Sequence, residues 1–211
     1  MKVMVIGDIH SRIELVDKLP FDECKKVILL GDLLHGPNGL GVEVIDFFMS
    51  LEKEVNVNLV LGNHELFHVM YYLKPESFSP ARVMQWDYCS VGLPEKANQI
   101  YSDIIKEVNL LGEIRMDWLC QGKAKLIINN HEFYHARQGV GRVWEDKDNA
   151  WFKSAVAGTL NIGNKMVWVG HENVRLYSSQ FRFTQECGGV VTCLDWGAKK
   201  GGPLGWEVID I

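Results

Sequence analysis

Six side chains of three types recur at one kind of place in the chain. Asp8, His10, Asp32, Asn63, His135 and His171 each stand at or just past the end of a short apolar run. Four follow a glycine directly, in Gly7-Asp8-Ile9-His10, Gly31-Asp32, Gly62-Asn63-His64-Glu65 and Gly170-His171. Together they offer carboxylate oxygen, amide oxygen and imidazole nitrogen, with no thiolate. That mixture suits first-row divalent ions such as Mn²⁺, Fe²⁺ or Zn²⁺. Six ligands are too many for one catalytic ion that keeps open positions, but suit two ions sharing a carboxylate. Two ions about 3.5–4 Å apart can clamp a phosphoryl group and activate a water between them.

Such ligands need a scaffold that brings strand ends together. Lys2–Ile6, Val27–Leu30 and Val57–Leu61 read as strands, separated by helical stretches at Ser11–Leu19 and Val42–Glu54. Strand, helix, strand repeated in this way predicts βαβ units. Wholly apolar strands predict a sheet covered on both faces. Ligands of open α/β sheets bind beyond the carboxyl ends of the strands, where the six residues fall. Residues 67–121 carry aromatics, prolines and a helical stretch at Lys96–Leu111, and are expected to form a mostly helical insertion capping the site. Strands return at Lys125–Ile128 and Glu132–Ala136, around a turn at Asn129-Asn130-His131. Met166–Val169, Val190–Leu194 and Trp206–Ile211 follow. With His131 in the turn and His135 at the strand end, His135 is the expected ligand.

A hydrophobic fraction of 47% and a charged fraction of 23% describe a globular chain. Its 211 residues predict one domain spanning 1–211. The net charge of −5 provides no global basic field, so nucleic acid is not the favoured partner. No apolar run reaches the ~18 residues that span a bilayer, and the opening residues lack a signal-peptide pattern. A cytoplasmic protein is expected. Five scattered cysteines, an odd count, predict reduced thiols rather than a disulfide framework.

Asp-x-His, Gly-Asp, Gly-Asn-His-Glu and two later histidines, in that order, resemble the calcineurin-like metallophosphoesterases. The chain is most similar to their phosphoprotein-phosphatase branch, with its bacterial and phage enzymes and the symmetrical diadenosine tetraphosphate hydrolases. The resemblance runs from Val3 to about Gly205. It includes Leu194-Asp195-Trp196-Gly197-Ala198 and Gly201-Gly202-Pro203-Leu204, similar to the branch's "Ile-Asp-Thr-Gly…Gly-Gly-x-Leu". It implies an α/β fold of two sheets in an αββα sandwich, with the helical insertion after the third core strand. It also implies two divalent ions, manganese first, with iron, zinc or nickel as alternatives. Asp8 and His10 match the first-ion pair, Asp32 the shared carboxylate and Asn63 the amide ligand. His135 and His171 match the two later histidines. His64 matches the histidine beside the leaving group, where an imidazolium stabilises or protonates the leaving oxygen.

The branch pattern Gly-Asp-x-x-Asp-Arg-Gly-Pro is broken here. The chain reads Gly31-Asp32-Leu33-Leu34-His35-Gly36-Pro37, so the single His35 stands where Asp-Arg would be. In the branch that Asp supports the catalytic histidine, and that Arg holds the substrate phosphate with a fork other side chains do not reproduce. Asp195 is a candidate supporter of His64, whereas Glu65 is expected to point elsewhere. Arg137, after Ala136, and His35 are the candidate substrate contacts. His68 is expected to be structural or to line the rim, and Arg12 to be a surface residue. Trp86, Tyr88 and Trp118 are expected in the core or as base-stacking residues. Asn173 replaces the second histidine of the superfamily's Gly-His-x-His, as in the branch. The expected activity is phosphomonoester hydrolysis of a phosphorylated small molecule, nucleotide or phosphoprotein. Phosphodiester or dinucleoside polyphosphate hydrolysis, and a non-catalytic binding module, are the alternatives.

Overall fold

The computed structural model describes residues 1–86, 92–136, 146–171, 174–176 and 178–211. Two sheets carry the fold. In the first, β1 (Lys2–Ile6), β2 (Lys26–Leu29) and β3 (Asn56–Leu59) run parallel, and β9 (Trp206–Asp210) pairs antiparallel with β1, in the order β3-β2-β1-β9. In the second, β5 (His131–Tyr134), β6 (Met166–Val169) and β8 (Val190–Cys193) run parallel. The edges β4 (Lys125–Ile128) and β7 (Arg182–Thr184) are antiparallel, giving β4-β5-β6-β8-β7.

Side-chain alternation explains the layers. Val3, Val5, Ile28 and Leu30 face Phe133, Trp168 and Leu194 in the seam between the sheets. Their neighbours Met4, Ile6, Val27 and Leu29 face outward onto helices. That outer layer includes α1 (Ile13–Val16) and α2 (Val42–Leu51), whose Val44, Ile45 and Phe48 are buried. On the far side, Phe152 and Ala155 of α6 (Asp146–Val156) pack on Val167, Val169, Val191 and Cys193. The αββα sandwich expected from the sequence is therefore present.

Among the described residues, the α-helices between β3 and β4 are α3 (Asn63–Leu73), α4 (Pro80–Trp86) and α5 (Pro94–Leu119). The helical stretch expected to end at Leu111 stops where Gly112, at φ 73°, leaves helical geometry and breaks α5 into two parts. Two further details differ from expectation. His131 begins β5 rather than closing the turn, because Asn129 alone takes the left-handed conformation (φ 54°) that reverses the chain. The three-residue β7 has no counterpart in the sequence reading; so short a strand carries too little alternation to register. Among the described residues no helix is long and apolar enough to cross a membrane, and Cys24, Cys120, Cys187 and Cys193 form no disulfide.

Candidate metal centre

The carboxyl ends of β1, β2, β5 and β6 and the start of α3 converge on one point. His10, Asp32 and His171 all sit at positive φ, at 49°, 51° and 62°. Non-glycine residues adopt that region at a cost, and clusters of them mark sites whose surroundings over-determine the backbone. The adjoining glycines are there for close approach. A Cβ on Gly170 would run into the Asp8 carboxylate, and one on Gly62 into Asp32.

Two of the imidazoles, those of His10 and His135, are oriented from behind. His10 donates Nδ1–H to the carbonyls of His35 (3.0 Å) and Leu34 (3.3 Å), leaving Nε2 3.8 Å from Asp32 Oδ2 and 3.9 Å from Asp8 Oδ2. His135 donates Nδ1–H to the Leu30 carbonyl at 2.7 Å, and its Nε2 lies 3.3 Å from Asp32 Oδ1 and 3.2 Å from Asn63 Oδ1. His171 turns Nδ1 to Asn63 Oδ1 at 3.1 Å, and its backbone N–H holds both oxygens of Asp8 at 3.0 Å. A histidine anchored through one ring nitrogen, with the other presented inward, is the arrangement of metal ligands. His131 is elsewhere: its Nδ1 accepts the Trp168 indole N–H at 3.1 Å.

Two groups of ligand atoms result, each gathered within 4.8 Å: His10, Asp32 and His64, and Asp32, His135 and His171. Asp32 belongs to both. Burial opposes its ionisation, yet His135, His64 and His10 hold its carboxyl well below the usual range. Asp8 is pushed the other way, by burial and then by the charges of Asp195 and Asp32. Burial also raises Asp195. Buried carboxylate oxygens gathered with imidazole nitrogens form a donor set that divalent cations fit.

Glu65 sets the loop that carries Asp32. Fully buried, it accepts the backbone N–H groups of Asp32 (2.8 Å) and Gly62 (3.0 Å) on Oε2, and of Leu33 (2.8 Å) and Leu34 (3.0 Å) on Oε1. It points away from His64, as expected, but its role was not legible as such. Asp195 does not support His64. It accepts the Gly197 N–H at 2.8 Å and lies on the Asp8 side of the centre.

His64 is supported by His35 instead, Nδ1 to Nδ1 at 2.8 Å, and His35 Nε2 meets Glu107 Oε2 at 2.9 Å. On its other side His64 Nε2 lies 3.0 Å from the Lys199 ammonium and 3.8 Å from Asp32 Oδ2. Burial, with Lys199, His35 and His10 adding to it against Asp32, pushes His64 down to about 3. That direction favours the neutral imidazole, whose Nε2 faces the Lys199 ammonium. The Lys199 turn is tied down by Arg12, which donates to the carbonyls of Gly202 (2.7 Å) and Ala198 (3.3 Å); Arg12 is thus a clamp, not a surface residue. His68, expected to be structural, is buried and joins the same network. Trp118 is core, its indole N–H on Glu52. Arg137, Tyr88, Asn173 and the Trp86 side chain lie outside the described residues.

Beside His64 opens a cavity of about 410 Å³ lined by Phe67, Ile100, Ile104, Asp103, Glu107 and Lys199. Lys199 and Glu107 are the functional candidates that sequence reasoning missed.

Residues 1–175 match the family model described as calcineurin-like phosphoesterase. A Caenorhabditis elegans protein provisionally named a serine/threonine-protein phosphatase is 31% identical over 127 residues, 56% of this chain. The match spans 25% of that relative's length. A hypothetical protein of Pyrococcus horikoshii superposes with TM-score 0.58 at 15% identity, over 92% of this chain and 76% of that one. A metallophosphoesterase from Sphaerobacter thermophilus superposes with TM-score 0.54 at 13% identity, over 100% of this chain and 89% of that one. At those identities the structures speak to the fold alone.

Proposed function

The chain belongs to the calcineurin-like phosphoesterase family, and from that premise we propose that it hydrolyses phosphomonoesters at a dinuclear divalent-metal centre. The observation that carries the reading is Asp32, the one carboxylate common to both ligand groups. Asp8 and His10 would hold the first ion, Asn63, His135 and His171 the second, and Asp32 both. When bound, such a pair supplies Lewis acidity toward the phosphoryl oxygens and activates the attacking water. Manganese is the ion we favour from the family resemblance; the sulfur-free donors suit it, as they do iron and zinc.

The chain's own groups do the rest. Lys199 carries a cation to the face of the centre, where it can donate to a phosphate oxygen. Lys199 and His64 hold a proton between them at 3.0 Å, beside the cavity into which the leaving group would extend. His64 is kept in place by His35 behind it. A dianionic monoester gains more from Lys199 than a monoanionic diester does, which favours the monoester reading. The reading takes residues 1–211 as one domain with 67–121 as its cap. In support, α5 of the cap lends Glu107 to the site, and β9 pairs with β1.

The test is a grid of p-nitrophenyl phosphate, its bis ester, a phosphopeptide and diadenosine tetraphosphate against Mn²⁺, Ni²⁺, Zn²⁺ and Mg²⁺. Monoester turnover abolished by chelation and by Asp32→Asn, with Asp32→Asn losing both ions together, supports the proposal. Full activity with one ion per chain, or preference for the bis ester, refutes it.

A further inference from the structure

A third ligand group lies across His64 from the dinuclear pair. His35 follows β2, His68 lies on α3 and Glu107 on α5, yet their ligand atoms gather within 4.8 Å. The geometry points to a third divalent-cation site here, built by His35, His68 and Glu107, for a first-row ion of the zinc class.

His68 carries the argument. Its Nδ1 lies 2.8 Å from the His64 carbonyl and its Nε2 lies 2.9 Å from Glu107 Oε2. Both partners only accept, and a neutral imidazole has one N–H. One of the two contacts therefore sets lone pair against lone pair, in a side chain that is 1% exposed. Something positive must stand between Nε2 and Oε2: a second proton or a cation. The neighbouring run has no such conflict. Lys199 donates to His64 Nε2, His64 Nδ1–H to His35 Nδ1, and His35 Nε2–H to Glu107, with one proton per imidazole throughout.

The arrangement repeats that of the dinuclear centre. His10 and His135 also give Nδ1–H to a carbonyl and aim Nε2 at carboxylates. Here two Nε2 atoms meet one carboxylate oxygen, each at 2.9 Å. Two imidazoles and a carboxylate form a ligand set that first-row ions take with positions left open. A 2.9 Å separation subtends roughly 90° at an ion about 2.0–2.1 Å from both atoms, which leaves the far side uncovered. That side faces the cavity of about 410 Å³, whose lining the three residues share. The open positions accept oxygen donors entering from there. An ion on His35 Nε2 also moves the His35 proton to Nδ1, so the bond to His64 reverses and Lys199 is released from it.

The experiment counts ions, not turnover. Metal-stripped protein is equilibrated with Zn²⁺ alone against a chromophoric chelator, and bound zinc is measured per chain. Wild type is expected to bind three ions. Glu107→Gln and, separately, His68→Gln should lose one, or bind it at least tenfold more weakly, while Asp32→Asn keeps the third ion and loses the pair. Wild type saturating at two ions overturns the site, a result that needs no variant to fold. Three ions of undiminished affinity in both Glu107→Gln and His68→Gln also overturn it. In either case the second proton on His68 is the bridge. A failure of the dinuclear reading looks different: wild type then binds an ion that Glu107→Gln loses and Asp32→Asn retains, with no pair beside it.

Discussion

Replacing Glu65 by glutamine changes one atom's chemistry in a fully buried side chain and should be among the costliest substitutions in the protein. Each carboxylate oxygen receives two backbone N–H groups, Leu33 and Leu34 on one, Asp32 and Gly62 on the other. An amide nitrogen in place of either oxygen faces two donors with a donor. Two charge-assisted bonds at about 1.5–3 kcal/mol each make a loss of about 3–6 kcal/mol. Against a typical total of about 5–15 kcal/mol, that approaches unfolding. The midpoint of thermal unfolding should fall by about 6–24 °C, at about 2–4 °C per kcal/mol for a chain of this size. The assay is urea unfolding with chelator present, so that metal binding does not mask the change. The variant that still folds should also bind both ions of the pair more weakly, because the same bonds hold Asp32 at φ 51°. A loss under about 1 kcal/mol with an unchanged denaturant slope would refute the reasoning.

His64→Asn should retain the metal pair while kcat falls by roughly 10²–10⁴, and the fall should be smaller for p-nitrophenyl phosphate than for an alkyl phosphate. Equal losses on both substrates would remove His64 from the leaving-group role. Lys199→Ala should raise the monoester KM by about one to two decades, from about 1.5–3 kcal/mol for the lost charge-assisted bond at about 1.4 kcal/mol per decade; Arg12→Ala should shift KM the same way by releasing the Lys199 turn, and inhibition by inorganic phosphate checks both. Although burial opposes it, His35 and His68 hold Glu107 at about 2 rather than 4.5. A depressed carboxyl contributes stability above its unfolded value and loses it as pH falls toward the folded one. Metal-free protein should therefore lose stability between pH 4.5 and 2, and Glu107→Gln should flatten that slope in acid unfolding curves.

The six side chains proposed as ligands were legible because each combines telling chemistry with a fixed place at or just past a strand end, four of them flagged by glycine. The two-sheet fold was legible because buried parallel strands are apolar throughout. What escaped notice lacks one half of that combination. Glu107 has the right chemistry but sits on a helix rich in charge, between Asp103 and Glu113, where a carboxylate reads as a solvated face. Lys199 sits in a glycine-flanked turn beside Lys200, with no periodicity to give it a direction. Glu65 did leave a signal. It stands at the third position of α3, where an acidic side chain folds back on the helix start. There its other oxygen reaches two N–H groups of a different loop, a reach no local pattern encodes.

The missing Asp-Arg pair shows why the helical segment between β3 and β4 belongs with the site. In the branch pattern one short stretch would carry both support for the catalytic histidine and the phosphate-holding cation. Here the two tasks fall to separate elements. Support reaches His64 from His35, which is in turn fixed by Glu107 of α5, 72 residues along the chain. In the proposed reading the cation is Lys199, on a turn that Arg12 clamps from 187 residues away in sequence. A site divided in this way depends on packing that a contiguous motif does not need. α5 is held by contacts with α3 and α4, and Phe78 stacks on Tyr101 at 5.7 Å between ring centroids. Substitutions that loosen this layer should reach the reaction through His35 rather than through the metal ligands. In the proposed reading the insertion joins the catalytic wall through Glu107, and together with His35 and Lys199 it supplies what the broken Asp-Arg motif does not.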